Sequence, residues 1–475
     1  MKLSEILKDA EYISASGNAE ITGITNNSAQ VKPGYMFVCI KGFKSDGHKY
    51  IPQALANGAA AVVVTEDADT ETAAKVKVEN SRKFMAQASH VFYGKPSEKL
   101  TIIGVTGTNG KTTTTTLIKT ILDMTGEKTG LIGTNSIVIG DKAIPAEFTT
   151  PESFVLHKIF RDMADAGVKH CIMEVSSHSI ELFRVYGVKF KLGVFTNLTH
   201  DHLDLHGTME NYMSVKAKMF DSCENALINA DDGYGRRIAE MLKSKGKNVK
   251  LYSINEKSDY RAENVQLSDK GVIYDVDGIK IKVMMPGRFS VYNSLAAAAA
   301  CLEIGIGGET VQKGLIIAKG AKGRIQMLNC GLPFKVMIDF AHTPDGLYNI
   351  LTTVKEYCKG KMIVVFGAPG DRDAAKRPEM GEVVSRYADY TVITSDNPAS
   401  EDPVDIINQV EAGVTIPHKC ITDRKEAIFF ALDMAQNGDI VILAGKGHET
   451  YQITKNGKIP FSEEEVVKEY CLRGR

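Results

Sequence analysis

The sequence predicts an α/β protein of several domains built on parallel sheets, and three observations carry that expectation. The stretch "TIIGVTGTNGKTTTTTLIKTIL", from Thr101, reads as a strand, a glycine turn and a helix. Apolar strands that run at once into polar residues recur after it: "VKHCIMEVSSHS", "LGVFTNLTHDHLDLH", "KMIVVFGAPGDRD", "YTVITSDNPASED" and "DIVILAGKGHET". Helical stretches such as "EMGEVVSRYA" and "RKEAIFFALDMAQ" separate the later ones. Strand–helix alternation implies parallel sheets covered on both faces, with ligands beyond the carboxyl ends of the strands. Finally, 475 residues exceed one ordinary core; at roughly 150 residues per domain the chain divides into about three.

The blocks differ in texture. The first, 1–98, opens on "MKLSEILKDAEY", a short amphipathic helix without the apolar core of a signal peptide. Short β-branched strands such as "YMFVCIKG" and "AAAVVVTE" follow, and "GKPSEKL" reads as a linker. The second block runs over 99–324, ending near "AKGAKGRIQML", and the third over 325–475. Apolar content of 43% and charged content of 24% are those of a soluble globular protein. A formal net charge of −1 argues against nucleic-acid or anionic-membrane binding through bulk charge. No apolar run reaches the roughly 18 residues of a membrane span. The eight cysteines are scattered without C-x-x-C spacing. A reduced, cytoplasmic protein without disulfides is expected.

"GVTGTNGKTTT" is the most specific local signal. Gly104, Gly107 and Gly110 recur every third residue, followed by Lys111 and Thr112. Glycines let successive amides point at phosphate oxygens, and the following helix adds the positive end of its dipole. Lys111 can reach terminal phosphates and the Thr112 hydroxyl can hold Mg²⁺. Val105 stands where the common phosphate loop has glycine, so this is a variant loop. The plainer alternative is a glycine-rich turn between strand and helix. Glu174 closes the strand "CIM", where a carboxylate would emerge beside the loop and could ligate Mg²⁺.

"THDHLDLH" gathers His200, Asp201, His202, Asp204 and His206. Zinc hydrolases use H-x-H-x-D-H, and this stretch is one residue too long for it. A polar structural loop is the plainer alternative. A Mg²⁺ site beside ATP, with His202 as ligand, is favoured. Lys216 and Lys218 follow on the same helix. A lysine desolvated near a metal can lose its proton and take up CO₂ as a carbamate, and the residues alone do not choose between the two.

Together with "VKPGYMFVCIKGFKSDGH", "FTTPES", "PGRFSVYNSLAAA", "IDFAHTPDGL", "GDRDAAKRPEMG", "SDNPASEDP" and "AGKGHETYQ", these motifs resemble the Mur ligase family over essentially the whole chain. The likeness is greatest to its UDP-MurNAc-tripeptide synthetases. The resemblance implies three domains: a UDP-substrate domain, a central phosphate-loop ATPase-like domain with a parallel or mixed sheet, and a Rossmann-like domain for the amino acid. It implies a cytoplasmic ligase of peptidoglycan synthesis, a monomer with neither nucleic-acid nor membrane partner. ATP would phosphorylate the free carboxylate of UDP-MurNAc-L-Ala-D-Glu, and a diamino acid would attack the acyl phosphate.

By the same resemblance, Gly107, Thr108, Asn109, Gly110, Lys111, Thr112 and Thr113 surround the ATP phosphates. Asn293, Arg324 and Asp339 complete the nucleotide site, with His342 close by. Two Mg²⁺ ions are implied, one on Thr112 and Glu174, the other on His202 and a carbamoylated Lys216. Lys216 is chosen because it follows Tyr212 by four residues. Thr149, Thr150, Ser176 and Arg184 would bind the nucleotide-sugar peptide, and Ser28 the uridine. Arg372, Asp396, Asn397, Gly445 and Glu449 would form the amino-acid pocket.

Several positions depart from the family pattern. Asn27 and Ala29 replace charged neighbours of Ser28, Leu182 replaces a glutamine, and Pro369 a glycine. Ala399 stands where enzymes that add meso-diaminopimelate carry arginine. A methyl cannot pair the second carboxylate of that amino acid, and leaving it buried and unpaired costs about 2–5 kcal/mol. L-Lysine or a similar one-carboxylate diamino acid is therefore expected. A folylpolyglutamate-synthetase-like ligase is the nearest enzyme alternative, opposed by "DNP", "GKGHE" and the N-terminal block. A meso-diaminopimelate-adding enzyme and a nucleotide-binding regulator without catalysis are the others.

Overall fold

The computed structural model describes residues 1–42, 45–70, 73–268 and 270–473. Three main sheets follow one another along the chain. The first has five strands in the order Ser14–Ser16, Ala74–Lys77, Ala61–Val64, Tyr35–Val38, Gly23–Thr25, parallel except for the first pair. Its opening helix is shorter than the sequence pattern suggests, Leu3–Ile6 continued by one 3₁₀ turn.

The central sheet has nine strands, and its last two, Ile137–Ile139 and Lys142–Ile144, form antiparallel additions at one edge. Thr101–Thr106 lies at its middle, between the parallel strands His170–Glu174 and Phe190–Phe195. A strand flanked on both sides and both faces must be apolar throughout, and "IIGVT" is buried at every position. Gly104 is required there, because a Cβ would meet the Phe190 ring at 2.8 Å. The helix Lys111–Asp123 follows. Its threonines are β-branched and poor helix formers, but Thr115 and Thr116 hydroxyls both donate to the Thr112 carbonyl. Leu117, Ile118, Ile121 and Leu122 fill the core shared with the alanine-rich helix Arg288–Glu303. Small side chains at Ala296–Ala300, all buried, let the helices approach closely.

The third sheet has six strands, Gln326–Leu328, Lys335–Asp339, Ile440–Ala444, Met362–Phe366, Tyr390–Ile393 and His418–Cys420, parallel beyond the first pair. The class and the three-part architecture are therefore those expected. Two features were not foreseen: an antiparallel meander over Glu263–Ser268, Gly271–Val276 and Ile279–Val283, and a hairpin of Tyr451–Thr454 with Gly457–Pro460. The hairpin strands are half-buried or exposed, so their alternation is weak. All eight cysteines are free thiols. Among the described residues no helix is long and apolar enough to cross a membrane.

Leu117 is fully buried between helix and sheet. Leu117→Ala should cost about 2–5 kcal/mol in stability, measured by chemical denaturation, and an effect below about 1 kcal/mol would show that this packing is not as tight as described.

Candidate active site at the phosphate loop

The central sheet changes direction of strand order at Thr101–Thr106, so three carboxyl ends converge there. The phosphate loop leaves one strand, Glu174 ends the second, and the histidine loop follows the third. Such switch points open a crevice for ligands. Gly110 caps the helix with φ 86°, and Gly107 has φ 149°. A Cβ on Gly107 would sit 1.9 Å from Thr196 Oγ1, so only glycine fits. Asn197 Oδ1 accepts from Asn109 N at 2.9 Å, and Thr196 Oγ1 donates to the Asn109 carbonyl at 2.6 Å. Lys111 Nζ folds back onto the Gly107 and Thr108 carbonyls, both at 2.9 Å.

Glu174 is buried beside this loop. It accepts from Thr112 Oγ1 at 3.0 Å, Thr134 N at 2.8 Å and Thr134 Oγ1 at 3.1 Å. A carboxylate with neighbouring hydroxyls is a hard-oxygen donor set, which suits Mg²⁺.

The histidine cluster does not act as one unit. His202 has φ 54° and precedes the turn Leu203–His206. Its Nε2 lies 3.4 Å from Asp201 Oδ2, and burial pushes its pKa below the ordinary histidine value. A neutral ring can offer a lone pair to a metal. His206 is packed away instead, with Nε2 3.0 Å from Ser177 Oγ and its ring stacked 4.8 Å from that of Tyr212. His200 is exposed, 4.0 Å from Glu379. The side chain of Asp204 lies outside the described residues. Among the described residues the three histidines therefore have separate surroundings, unlike the joint set that the zinc-hydrolase alternative needs.

The helix Met209–Lys218 separates the two lysines by burial. Lys216 is 1% exposed, and its Nζ donates to the same Gly107 carbonyl at 2.9 Å. Burial, then the nearby Lys111 charge, holds its pKa well below the ordinary lysine value. Lys218 points outward to Glu181 at 3.3 Å.

A cavity of about 520 Å³ joins these parts. Thr108, Asn109, Gly110, Lys111, Thr112, Thr113, Thr149, Glu174 and His202 line it from the central unit, and Arg324, Asp339 and His342 from the third sheet and the segment that leads into it. Asn293 reaches it from the alanine-rich helix, its Oδ1 filling the space a Gly110 side chain would take. The Arg324 guanidinium lies 4.7 Å from the Phe340 ring centre. Asp339 accepts from Ile325 N and Ala341 N, both at 2.8 Å, so its carboxylate also braces the segment that leads into the third sheet.

Thr150, Ser176 and Arg184 form a neighbouring cluster. Thr150 Oγ1 donates to the Glu174 carbonyl at 2.8 Å and Arg184 Nη1 to the Thr150 carbonyl at 3.0 Å. Ser28 lies elsewhere, in the first unit, where its Oγ donates to Gln53 Oε1 at 2.7 Å. In the third unit, Asn397 Nδ2 donates to Glu449 Oε2 at 2.8 Å. Lys446 Nζ reaches the same oxygen at 2.7 Å, so Glu449 already has a cation. Asp396 Oδ2 is buried without a hydrogen-bond partner, as is Glu463 Oε2, and a Cβ on Gly445, at φ 120°, would lie 2.3 Å from the Asp396 oxygen. Arg372 is exposed. Lys446, Arg424 and Glu463 were not singled out from the sequence. Arg424 and Glu463 pair at 2.7 Å, fully buried, and no local spacing announces a pair 39 residues apart.

A phosphate loop facing a buried acid at a sheet switch point defines a nucleotide-binding α/β protein. Sequence comparison is more specific. The Mur ligase middle domain matches residues 105–301, the Mur ligase glutamate ligase domain 323–447, and the Mur ligase family catalytic domain 20–93. The UDP-N-acetylmuramoyl-L-alanyl-D-glutamate–2,6-diaminopimelate ligase of Clostridium tetani is 45% identical over 482 residues, covering 99% of each chain. That of Caldanaerobacter subterraneus is 46% identical over 479 residues, covering 99% of this chain and 98% of the relative. A solved ligase of the same name superposes with a TM-score of 0.68 at 30% identity, covering 96% of this chain and 95% of that one. The MurF ligase of Thermotoga maritima in complex with ADP shares the fold, with a TM-score of 0.65 at 19% identity over 95% of this chain and 96% of that one. The chain belongs to the Mur ligase family.

Lys216→Ala should abolish most ADP-forming activity, with partial recovery on adding a short carboxylic acid. Lys218→Ala should stay within about twofold of the parent, as an exposed pair contributes little. Recovery in Lys218→Ala alone would overturn the distinction.

Proposed function

We propose that this protein is an ATP-dependent amide ligase that adds a diamino acid to UDP-N-acetylmuramoyl-L-alanyl-D-glutamate, giving the tripeptide, ADP and phosphate. The observation that carries it is the single cavity lined by Lys111, Thr112, Glu174 and His202 in a chain whose relatives bear that ligase name. A folylpolyglutamate synthase shares the fold at only 16% identity, against 45% for the ligase of Clostridium tetani.

Phosphoryl transfer to a carboxylate brings two anions together, and their repulsion must be offset. Lys111 supplies a cation at the loop, and the start of the following helix at Gly110 and Lys111 faces the phosphates, while Asn197 holds the Thr108 and Asn109 amides. Glu174 and Thr112 would hold one Mg²⁺, which supplies charge compensation at the transferring phosphoryl group. His202, with Lys216 as a carbamate, would hold a second. The buried, proton-shedding environment of Lys216 supports that modification. The boundaries 1–98, 99–324 and 325–475 divide the labour: UDP-substrate, nucleotide and amino acid. Arg372 receives the carboxylate of the amino acid and Asp396 its distal ammonium, with Asn397 and the Lys446-paired Glu449 bordering the pocket. Thr149, Thr150, Ser176 and Arg184 hold the peptide end of the nucleotide substrate, and Ser28 the uridine.

The amino acid is L-lysine or a similar one-carboxylate diamino acid. Ala399 offers a methyl group on a left-handed backbone, φ 53°. The buried cations beside it are already engaged. Arg377 is held by Glu401, Gln409 and the Pro369 carbonyl, Arg424 by Glu463, and Lys446 by Glu449 and Asn397. Arg372 alone of these is exposed, one cation for one carboxylate. A second reading, 2,6-diaminopimelate, is favoured by the relatives' names.

An ADP-release assay with a panel of diamino acids separates the two. Lysine should exceed meso-diaminopimelate in kcat/KM by about 30-fold or more, the scale of one unpaired buried carboxylate. Ala399→Arg should narrow the gap. A better kcat/KM for meso-diaminopimelate would establish the second reading. No ADP release with any diamino acid would end the ligase proposal.

A further inference from the structure

Lys376 opens the helix Lys376–Tyr387 of the third unit and is buried. Its Nζ crosses into the central unit and lies 2.5 Å from Asp201 Oδ1, 175 residues away in sequence. The two side chains are only 11% and 14% exposed. Asp201 in turn grips His202 twice. Its Oδ1 accepts from His202 N at 2.9 Å, and its Oδ2 lies 3.4 Å from the ring Nε2.

Lys376 reaches Asp201 from a rigid base. The next residue, Arg377, is 2% exposed. Its guanidinium binds both oxygens of Glu401, at 2.7 and 2.9 Å, and Gln409 at 2.8 Å. The same loop carries Arg372 four residues earlier. Arg372 and Lys376 thus lie on one short segment. A buried cation needs its partner, so the pair persists only while the two units are together. Such pairs add little net stability but can specify one arrangement.

We propose that Lys376 is a positioning residue: through Asp201 it locks the third unit onto the central one and fixes His202 over the nucleotide cavity. Closure over the amino acid and completion of the phosphoryl-transfer site then become one event. Lys376 does not line the cavity itself, so it acts through Asp201. This inference rests on the ligase reading above for the roles of His202 and Arg372.

The test uses the full-length Lys376→Met and Lys376→Arg variants. Small-angle scattering with ADP and Mg²⁺ reads closure, a fluorescent ADP analogue reads nucleotide affinity, and thermal melting reads folding. Steady-state ADP release reads kcat and KM separately. Lys376→Met should be more open by scattering, with nucleotide affinity and melting temperature near those of the parent. Its kcat should fall about tenfold or more, the scale of losing one buried charge partner. Lys376→Arg should restore compaction and most of kcat. Parent-like scattering in Lys376→Met overturns the proposal, as does a kcat loss that only follows lost nucleotide affinity or melting temperature. Scattering needs no turnover, so failure of the lock and failure of the ligase reading are distinguishable.

Discussion

One carbonyl oxygen, that of Gly107, receives two lysine donors, Lys111 and Lys216, each at 2.9 Å. The rest of the site depends on that meeting. It requires a backbone at φ 149° with no Cβ, since Thr196 Oγ1 occupies the space. It also brings two like charges together out of water. At about 6 Å and an effective dielectric near 20, two full charges repel by about 3 kcal/mol. Burial pushes the Lys216 pKa well below the ordinary lysine value, and a neutral Lys216 would remove that repulsion and present a nucleophilic amine beside the phosphate loop. The strained loop, the buried lysine and the nucleotide cavity are thus one construction.

The sheet supplies its frame. Three parallel strands end at one level, and their loops contribute a phosphate cradle, a carboxylate and a metal-capable histidine. The alanine-rich helix packs behind the phosphate-loop helix and presents Asn293, while the third unit brings Asp339 and His342 to the cavity's far wall. A crevice between units can close over its ligands and exclude water, which strengthens every charge interaction inside it.

Local pattern carried the elements whose cause is local. The strand "IIGVT" must be buried on both faces, and its glycine turn and Lys-Thr pair announce a phosphate loop. The strand ends "SDNP" and "GKGHE" likewise follow from parallel topology. What escaped detection depends on distance. By local pattern Lys216 and Lys218 look alike on one helix; the family resemblance chose Lys216, and burial is the physical difference between them. His206 resembles a ligand beside His202, yet it stacks on Tyr212. Glu449 was placed in the amino-acid pocket by resemblance, and the sequence does not show that Lys446 holds it or that Asp396 Oδ2 is buried without a partner. Lys376 and Asp201 meet only because two sheets are docked.

The central proposal is that Lys216 is held neutral and carries CO₂. Carbon-13 NMR of the protein equilibrated with ¹³C-bicarbonate tests it directly. A carbamate resonance should appear in the parent and in Lys218→Ala and be absent from Lys216→Ala. A spectrum without that resonance, or one in which it survives Lys216→Ala, would contradict the account.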